Sequence, residues 1–255
     1  MKLFLPIRLS AKPTQVNFTM RLFCAGLVIA SSIISVTTSA GVFSVTPVRI
    51  YMVPRDRAVA VTIVNDGDTP VALQADLFVW SQKPDGTDEL TLTEDLILAP
   101  PIIKLAPKAK QVVRLALLKP ADASRQLIYR MIMREIIEAA VPKENIQLPI
   151  ALALSMPVFI TPPPAVRKID CTPTRDGSTL VVNCANSGSA YAQIREIQLK
   201  RADKVEARFE GGVYVLPGAQ KSMALKAEQP VAAGAAKLLV SFDDTKVQSF
   251  DVTLP

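Results

Sequence analysis

The sequence predicts an all-β protein built from two β-sandwiches, and three observations support this prediction. Short segments in which apolar and polar residues alternate recur through residues 41–255, separated by Pro, Gly, Asn and Asp. Few stretches have the periodicity of a helix. A proline-rich segment at 161–166 divides the segments into two groups of ordinary sandwich length. We therefore expect domains at 41–160 and 167–255 with a hinge at 161–166.

The individual strands follow from the alternation and from the turn residues between them. In the first domain we expect strands at 42–51, 58–65, 71–80, 111–118, 127–136 and 146–160. In the second domain we expect strands at 179–185, 193–200, 221–227, 237–242 and 247–254. Turn signals separate several of them, among them Asn65-Asp66-Gly67-Asp68 and Asp176-Gly177.

The composition excludes several classes of active site. The chain has 255 residues, 49% of them hydrophobic, and it contains no histidine. Ser-His-Asp catalysis, Cys-His catalysis and histidine-ligated zinc are therefore excluded. Three cysteines are too few for a zinc site made of cysteines alone. We expect no catalytic residues, no metal and no cofactor.

The positive charge of the chain is concentrated at its beginning. The formal net charge is +6, but residues 1–40 hold four basic residues and no acidic ones. Removing those four from the 29 basic residues leaves 25 against 23 acidic residues, a net charge of +2. Such a nearly neutral body lacks the basic surface of nucleic-acid-binding proteins, so we expect no nucleic-acid partner.

Residues 1–40 have the order of a secretory signal peptide. Arg21 precedes an uncharged apolar run at 22–36, and small residues ending at Ala40 follow it. The run is shorter than the roughly 20 apolar residues that span a bilayer. We expect cleavage after Ala40 and no stable membrane insertion afterwards, with an uncleaved anchor as the alternative. Translation from Met20 is an alternative to translation from Met1, because MRLFCAG opens an ordinary leader.

The mature chain would contain two cysteines, Cys171 and Cys184, because Cys24 lies in the leader. An even pair in an exported protein favours a disulfide. Asp176-Gly177 lies between the two cysteines, so the bridge would cross a hairpin and close a short loop. The alternative is two buried thiols.

The segment 146–160, with the sequence IQLPIALALSMPVFI, has the most informative pattern in the chain. Every even position is large and apolar, so a period of two extends over the whole segment. As a single strand it would be about 50 Å long, whereas strands usually have about five or six residues. A small sandwich core cannot easily cover such a stripe, so part of it should be available to another molecule.

The prolines of this segment indicate which flank of the strand is exposed. Pro149 and Pro157 share parity, and proline is tolerated at a sheet edge but not in a central ladder. We infer that odd-numbered backbone groups face an outer edge and even-numbered groups pair inward. An exposed apolar edge favours pairing with another chain by strand addition. The alternative is a long core strand, kinked at Pro149 or Pro157, whose stripe crosses the domain interface.

Seven short motifs are spread across residues 41–255: 45–50 (VTPVRI), 64–66 (VND), Trp80, 96–102 (LILAPPI), 111–115 (QVVRL), 129–136 (YRMIMREI) and 186–188 (NSG). In order and spacing they resemble the periplasmic pilus (fimbrial) chaperones of the chaperone–usher pathway. The resemblance implies two immunoglobulin-like sandwiches in a boomerang arrangement. It also implies a divergent branch of the family, because 155–159 departs from the usual pattern.

The resemblance further implies a mechanism. Pilus subunits of this pathway are incomplete sandwiches, and the chaperone supplies the missing strand by donor-strand complementation. In this chain the donor strand would be Ile146–Leu154, and its subunit-binding side chains would be Ile146, Leu148, Ile150, Leu152 and Leu154. The even-numbered stripe has the geometry that this role requires.

The family also holds the subunit's C-terminal carboxylate with an Arg and a Lys. The Arg corresponds to Arg49, although a plain surface charge is the alternative. The Lys has no counterpart, because Pro157 stands at its position and Ser155 at a nearby basic one. Arg130 or Arg134 would then supply the second charge. For Arg114, Arg134 and Glu135, an ion pair that holds the two domains together is an equally good interpretation.

The function expected from this resemblance is that of a non-enzymatic periplasmic chaperone for fimbrium biogenesis. Its partners would be pilus subunits and an outer-membrane usher, and two free copies would form a dimer through their exposed edges. One alternative is a secreted two-domain sandwich that binds a carbohydrate or a surface partner, but one Trp and four Tyr offer few aromatic platforms. The other is a carboxylate-dependent hydrolase, although the acids at 85–95 are more typical of a solvated loop.

Overall fold

The computed structural model describes residues 43–137, 151–202 and 204–255. All of its regular secondary structure is β-strand, which confirms the all-β prediction. The first half of the chain contains β1 (Phe43–Thr46), β2 (Ile50–Met52), β3 (Ala58–Asn65), β4 (Val71–Gln82), β5 (Asp88–Leu92), β6 (Leu96–Ala99), β7 (Ile102–Leu105), β8 (Lys110–Leu117), β9 (Leu127–Glu135) and β10 (Ala153–Ile160). The second half contains β11 (Ile169–Asp176), β12 (Thr179–Asn186), β13 (Ala192–Arg201), β14 (Lys204–Val215), β15 (Gln220–Leu225), β16 (Gly234–Phe242) and β17 (Val247–Leu254). Among these residues there is no helix with the length and apolar character of a membrane span.

The strands of the first half form two sheets around one core. One sheet has the order β1-β3-β8-β6, and the other has the order β2-β10-β9-β4-β5 with β7 also paired to β4. Alternation along each strand directs one set of side chains inward. Val61 and Leu115 of the first sheet and Leu73 and Met131 of the second are fully enclosed in the same apolar cluster.

The strand predicted at 42–51 is interrupted, which corrects the sequence interpretation. The chain leaves the first sheet after β1, and β2 joins the opposite sheet beside the end of β10. Pro47, which has no amide donor, lies between the two short strands. As a result Arg49 lies immediately before β2, next to the end of the long strand.

The second half forms a separate sandwich from the sheets β11-β12-β15 and β14-β13-β16-β17. The hairpin predicted at Asp176-Gly177 joins β11 to β12, and Gly177 has a φ of 58°, which glycine adopts without strain. Cys171 and Cys184 are directly opposite each other in this hairpin and are joined by a disulfide.

The two sandwiches belong to one compact unit and contact each other through an aromatic cluster. The buried members of this interdomain cluster are Trp80, Phe159 and Leu216, and Ile128, Tyr191 and Tyr214 pack around them. Gln82 adds two hydrogen bonds across the contact, donating to the Tyr214 carbonyl at 3.1 Å and accepting from the Leu216 amide at 2.8 Å. The predicted leader at 1–40 and residues 146–150 of the predicted donor strand lie outside the described residues.

Candidate functional site: the partly open edge of β10

One side of β10 is paired along its whole length, whereas the other is paired only at the end. Ala153–Ile160 pair antiparallel with β9. β2 pairs in parallel with Val158–Ile160 alone. No strand within the described ranges pairs with the other side of Ala153–Pro157, which we call the free flank. β10 is therefore an edge strand over its first part and a central strand over its last part.

The backbone parity predicted from the prolines is confirmed. The Glu135 amide donates to the Leu152 carbonyl at 2.9 Å, so even-numbered groups face β9, because hydrogen-bonded pairs alternate along an antiparallel ladder. The Thr161 amide donates to the Met52 carbonyl at 2.9 Å, so odd-numbered groups face the opposite side. Pro157 occupies an odd position on the free flank, where no ladder hydrogen bond is lost.

The apolar stripe of even-numbered residues is covered at one end and uncovered toward the other. Met156, Val158 and Ile160 are fully buried in the core of the first sandwich. Leu154 is partly buried against the same core, and the Leu152 side chain is 38% exposed. The core of the first sandwich thus covers the stripe only as far as Leu154. The other predicted contact residues, Ile146, Leu148 and Ile150, lie outside the described residues.

Phe159 is an exception to the alternation, because it is a large apolar residue at an odd position. It is fully buried, and its ring centroid lies 3.9 Å from that of Tyr191 and 5.7 Å from that of Tyr51. The contact between the sandwiches therefore uses this odd-numbered side chain. The alternative in which the even-numbered stripe crosses the interface is wrong for Met156–Ile160.

Arg49 is not a plain surface charge. Its guanidinium donates to Asp243 Oδ2 of the second sandwich at 3.1 Å. The Tyr191 hydroxyl donates to the same oxygen at 2.9 Å and lies 3.0 Å from the Tyr51 hydroxyl. Burial raises the pKa of Tyr191 far above its usual range, and its hydrogen bond with Tyr51 and the charge of Asp243 act in the same direction. Arg49 therefore already has a carboxylate partner at the interdomain contact.

Arg130 is held over an aromatic ring. Its guanidinium carbon lies 3.7 Å from the centre of the Trp80 ring, and one of its amino groups donates to Ser155 Oγ at 3.1 Å. Its Nε is buried without a hydrogen-bond partner, and burial lowers the pKa of the group. Within the described ranges no acidic side chain forms an ion pair with Arg130.

Arg134 forms an ion pair with Asp76 on the neighbouring strand β4. Both residues belong to the first sandwich, so the alternative in which Arg134 forms an ion pair that holds the two domains together is wrong. Arg49 and Asp243 form that interdomain ion pair instead. Its two members are 194 residues apart in the chain, and no local pattern in the sequence signals their contact.

Tyr51, Tyr191 and Asp243 are the site residues that sequence reasoning missed. The one available signal was Phe159, because it is the only large apolar residue among the odd positions of 147–159. A large side chain on the otherwise small and polar face of a strand indicates contact with a second layer of structure. That signal would have identified the interface but not its partners.

Residues 42–165 match the sequence model of the family described as pili and flagellar-assembly chaperone, PapD N-terminal domain. Residues 42–165 therefore belong to the N-terminal domain family of pilus-assembly chaperones. The matched region contains β1 to β10, and thus both the free flank and the arginines at 49, 130 and 134. None of the curated proteins matches the chain in sequence.

Solved structures of pilus chaperones share the fold over both sandwiches. The CsuC–CsuE chaperone–tip subunit pre-assembly complex of archaic Csu pili from Acinetobacter baumannii matches with a TM-score of 0.61 and 18% identity, covering 84% of this chain and 99% of that one. The SafA pilin–SafB chaperone complex of Salmonella enterica gives 0.55 and 15%, covering 85% and 98%. The CupB2 chaperone of Pseudomonas aeruginosa gives 0.53 and 19%, covering 83% and 100%. At these identities the likeness establishes the fold, which consists of two immunoglobulin-like sandwiches.

Proposed function

We propose that this pilus-assembly chaperone works in the periplasm, stabilises pilus subunits by donor-strand complementation and delivers them to an outer-membrane usher. The observation that carries the proposal is the free flank of Ala153–Pro157, which continues toward an apolar stripe that its own core leaves uncovered at Leu152. The CsuC–CsuE and SafA–SafB structures are complexes of a chaperone with a pilus subunit, and we extend that kind of partner to this chain.

An uncovered edge strand is a hazard that soluble proteins normally avoid, because it presents unpaired backbone groups to other chains. On the free flank these groups belong to odd positions such as Ala153 and Ser155. A strand from the subunit would pair with them and extend the sheet. The even-numbered side chains would meanwhile fill the groove that the subunit's missing strand leaves open.

The proposed contact is large enough to matter energetically. Four of its predicted side chains are Ile146, Leu148, Ile150 and Leu152, and burying each one stabilises a complex by about 1.5–3 kcal/mol. The sum is about 6–12 kcal/mol before the cost of ordering the strand is subtracted. Leu154, which its own core covers only in part, would add a smaller contribution.

The position of β2 limits how far an incoming strand can extend along β10. β2 occupies the same side of β10 as the free flank but begins at Ile50, opposite Val158. A strand on the free flank therefore ends beside Arg49. If its C-terminal carboxylate is held by Arg49 or Arg130, the strand must run parallel to β10, whereas Arg134, opposite Ala153, lies at the other end of the free flank.

Replacing Leu152 with Lys tests the proposal directly. Leu152 is 38% exposed, so we expect Leu152→Lys to fold normally but to lose co-purification with a co-expressed pilus subunit. Leu118→Lys is the matched control, because Leu118 is an exposed leucine outside the β10 edge. Undiminished capture by Leu152→Lys would contradict strand donation. Light scattering of the chain alone would test whether two free copies form the predicted dimer.

A further inference from the structure

The hairpin formed by β4 and β5 reaches beyond the core of the first sandwich. β4 has 12 residues, and its last residue, Gln82, contacts the second sandwich. β5 is exposed at every residue, so it adds nothing to the apolar core. In the sheet order β2-β10-β9-β4-β5, the hairpin lies at the opposite edge from β2, next to which Arg49 pairs with Asp243. The second sandwich is therefore held at both edges of this sheet.

Gln82 takes the place of a neighbouring strand at the end of β14. β14 is an edge strand, and among the described residues only the Arg208–Lys226 bridge pairs with the side that faces away from β13. The side-chain amide of Gln82 donates to the Tyr214 carbonyl at 3.1 Å and accepts from the Leu216 amide at 2.8 Å. One residue of a parallel strand would bond to the same two groups. A side-chain amide can replace it because it carries the same kinds of donor and acceptor as a peptide group.

Gly86 brings the turn of this hairpin against the start of β15. The Gln220 amide donates to the Pro84 carbonyl at 3.2 Å. A Cβ added to Gly86 would collide with the Gln220 carbonyl oxygen and would lie 2.6 Å from Cδ of Lys221. The colliding oxygen belongs to the backbone, so no change of side-chain rotamer can make room. Gly86 also has a φ of 84°, which glycine adopts without strain. The turn fits against the second sandwich because this position has no side chain.

We infer that the β4–β5 hairpin fixes the angle between the two sandwiches, with Gln82 as its hydrogen-bonded contact and Gly86 as its point of closest approach. The aromatic cluster between the sandwiches resists their separation, but apolar contacts are non-directional and do not by themselves select one angle. Hydrogen bonds weaken steeply when their angle changes, so the hairpin supplies the missing direction. Gln82 and Gly86 are positioning residues, and this role does not depend on the proposed strand addition.

Residual dipolar couplings of the backbone amides, measured by NMR on the chaperone alone, test this inference. Each sandwich is fitted with its own alignment tensor, and a common tensor shows that the angle between them is fixed. For the wild-type chain we expect one tensor to fit both sandwiches. Gln82→Leu keeps most of the side-chain volume but removes both hydrogen bonds to β14 and the residue after it, so we expect the two tensors to differ in magnitude.

A second variant acts on the turn of the hairpin. Gly86→Ala should change the relative orientation of the sandwiches, because its Cβ would collide with Gln220. Gly177→Ala is the matched control: Gly177 has a φ of 58° in the β11–β12 hairpin, but a Cβ there would meet nothing within 4 Å. Both substitutions strain a turn, and only the first closes a contact between the sandwiches. Amide chemical shifts of the two cores would verify that each sandwich stays folded.

Different results overturn different parts of the inference. If the wild-type chain needs two tensors, the angle is not fixed and the inference is wrong. If Gln82→Leu and Gly86→Ala both keep the wild-type orientation, something other than the hairpin fixes the angle; if only one of them keeps it, that residue loses its role. A change in Gly177→Ala as large as that in Gly86→Ala would assign the effect to turn strain and not to the contact with Gln220.

Discussion

The two parts of β10 have the same alternating pattern but different surroundings. Val158–Ile160 lie between β9 and β2, with the even-numbered side chains in the core and Phe159 against the second sandwich. Ala153–Pro157 have β9 on one side and the free flank on the other. β10 thus packs against both sandwiches at its C-terminal end and presents an unpaired edge at its N-terminal end.

The difference arises because the neighbouring strand β2 is short, and not from the sequence of β10 itself. β2 has only three residues, because the chain reaches it by crossing from the opposite sheet near Pro47. A longer β2 would cover the whole of β10 and leave no free flank. An interrupted first strand is therefore what allows this sandwich to keep an open edge.

Val158–Ile160, which have strands on both sides, form the closed part of β10. The largest effect is expected from a charge introduced there. Val158 is fully enclosed, so Val158→Lys would bury an ammonium group without a partner. We expect a loss of at least about 3 kcal/mol in the free energy of unfolding, measured by urea denaturation. Leu152→Lys, directly before the open part (Ala153–Pro157), is the matched variant, with an expected change within about 0.5 kcal/mol. Equal losses in the two variants would show that the two parts do not differ as described.

The next effect concerns the aromatic contact at the closed end. Phe159→Ala removes the ring that packs against Tyr191 and Tyr51, and truncating a buried Phe usually costs about 3–5 kcal/mol. We expect most of that loss in the contact between the sandwiches, with a red shift of Trp80 emission, because Trp80 belongs to the same cluster. Emission that stays unchanged would contradict the central position of Phe159.

Hydrogen exchange would resolve the open part residue by residue. The amides of Leu154 and Met156 face β9, whereas those of Ala153 and Ser155 face the free flank. We expect the first pair to exchange on the order of a hundredfold more slowly in two-dimensional NMR spectra. Bound subunit should then slow Ala153 and Ser155. Protection of all four amides in the free monomer would mean that the edge is already covered.

Local pattern was sufficient to predict much of the fold. The strand predicted at 58–65 is β3, and the one predicted at 247–254 is β17, with the same bounds. The parity of the two prolines predicted the orientation of the β10 backbone before any partner strand was known. These features depend on residues that are close in sequence, where alternation and turn chemistry act directly.

Features that have no local alternation, or that depend on residues distant in the sequence, were not predicted. β5 is exposed at every residue, so it has no buried face to produce alternation, and its strand was missed. The division of 42–51 into two strands depends on which sheet offers a partner, and this is a tertiary effect. The pairing of Arg49 with Asp243 likewise depends on the packing of the two sandwiches.

The smallest expected effect concerns Asp95, which is hydrogen-bonded to a residue that pairs with the closed part of β10. Tyr129 is opposite Val158, and its hydroxyl donates to Asp95 at 3.0 Å. The hydrogen bond from Lys119 and then that from Tyr129 lower the pKa of Asp95 below its usual value. A carboxylate with a lowered folded-state pKa stabilises the fold above its unfolded pKa, and this stabilisation is lost as the pH falls through the folded value.

Asp95→Asn should therefore be less stable than wild type at pH 7 and should approach it as the pH falls below about 4. Because Lys119 is 43% exposed, solvent weakens the pair, and we expect a difference of only about 0.5–1 kcal/mol in urea unfolding at pH 7. Asp68→Asn is the matched control, because the Asp68 side chain, which pairs with Lys108, is 82% exposed, so the substitution should leave the free energy of unfolding unchanged. A constant difference between Asp95→Asn and wild type from pH 7 to pH 3 would mean that the carboxylate acts through packing and not through its charge. The closed part of β10 would then owe its support to apolar contacts alone, and the contrast with the free flank would be one of burial rather than of electrostatics.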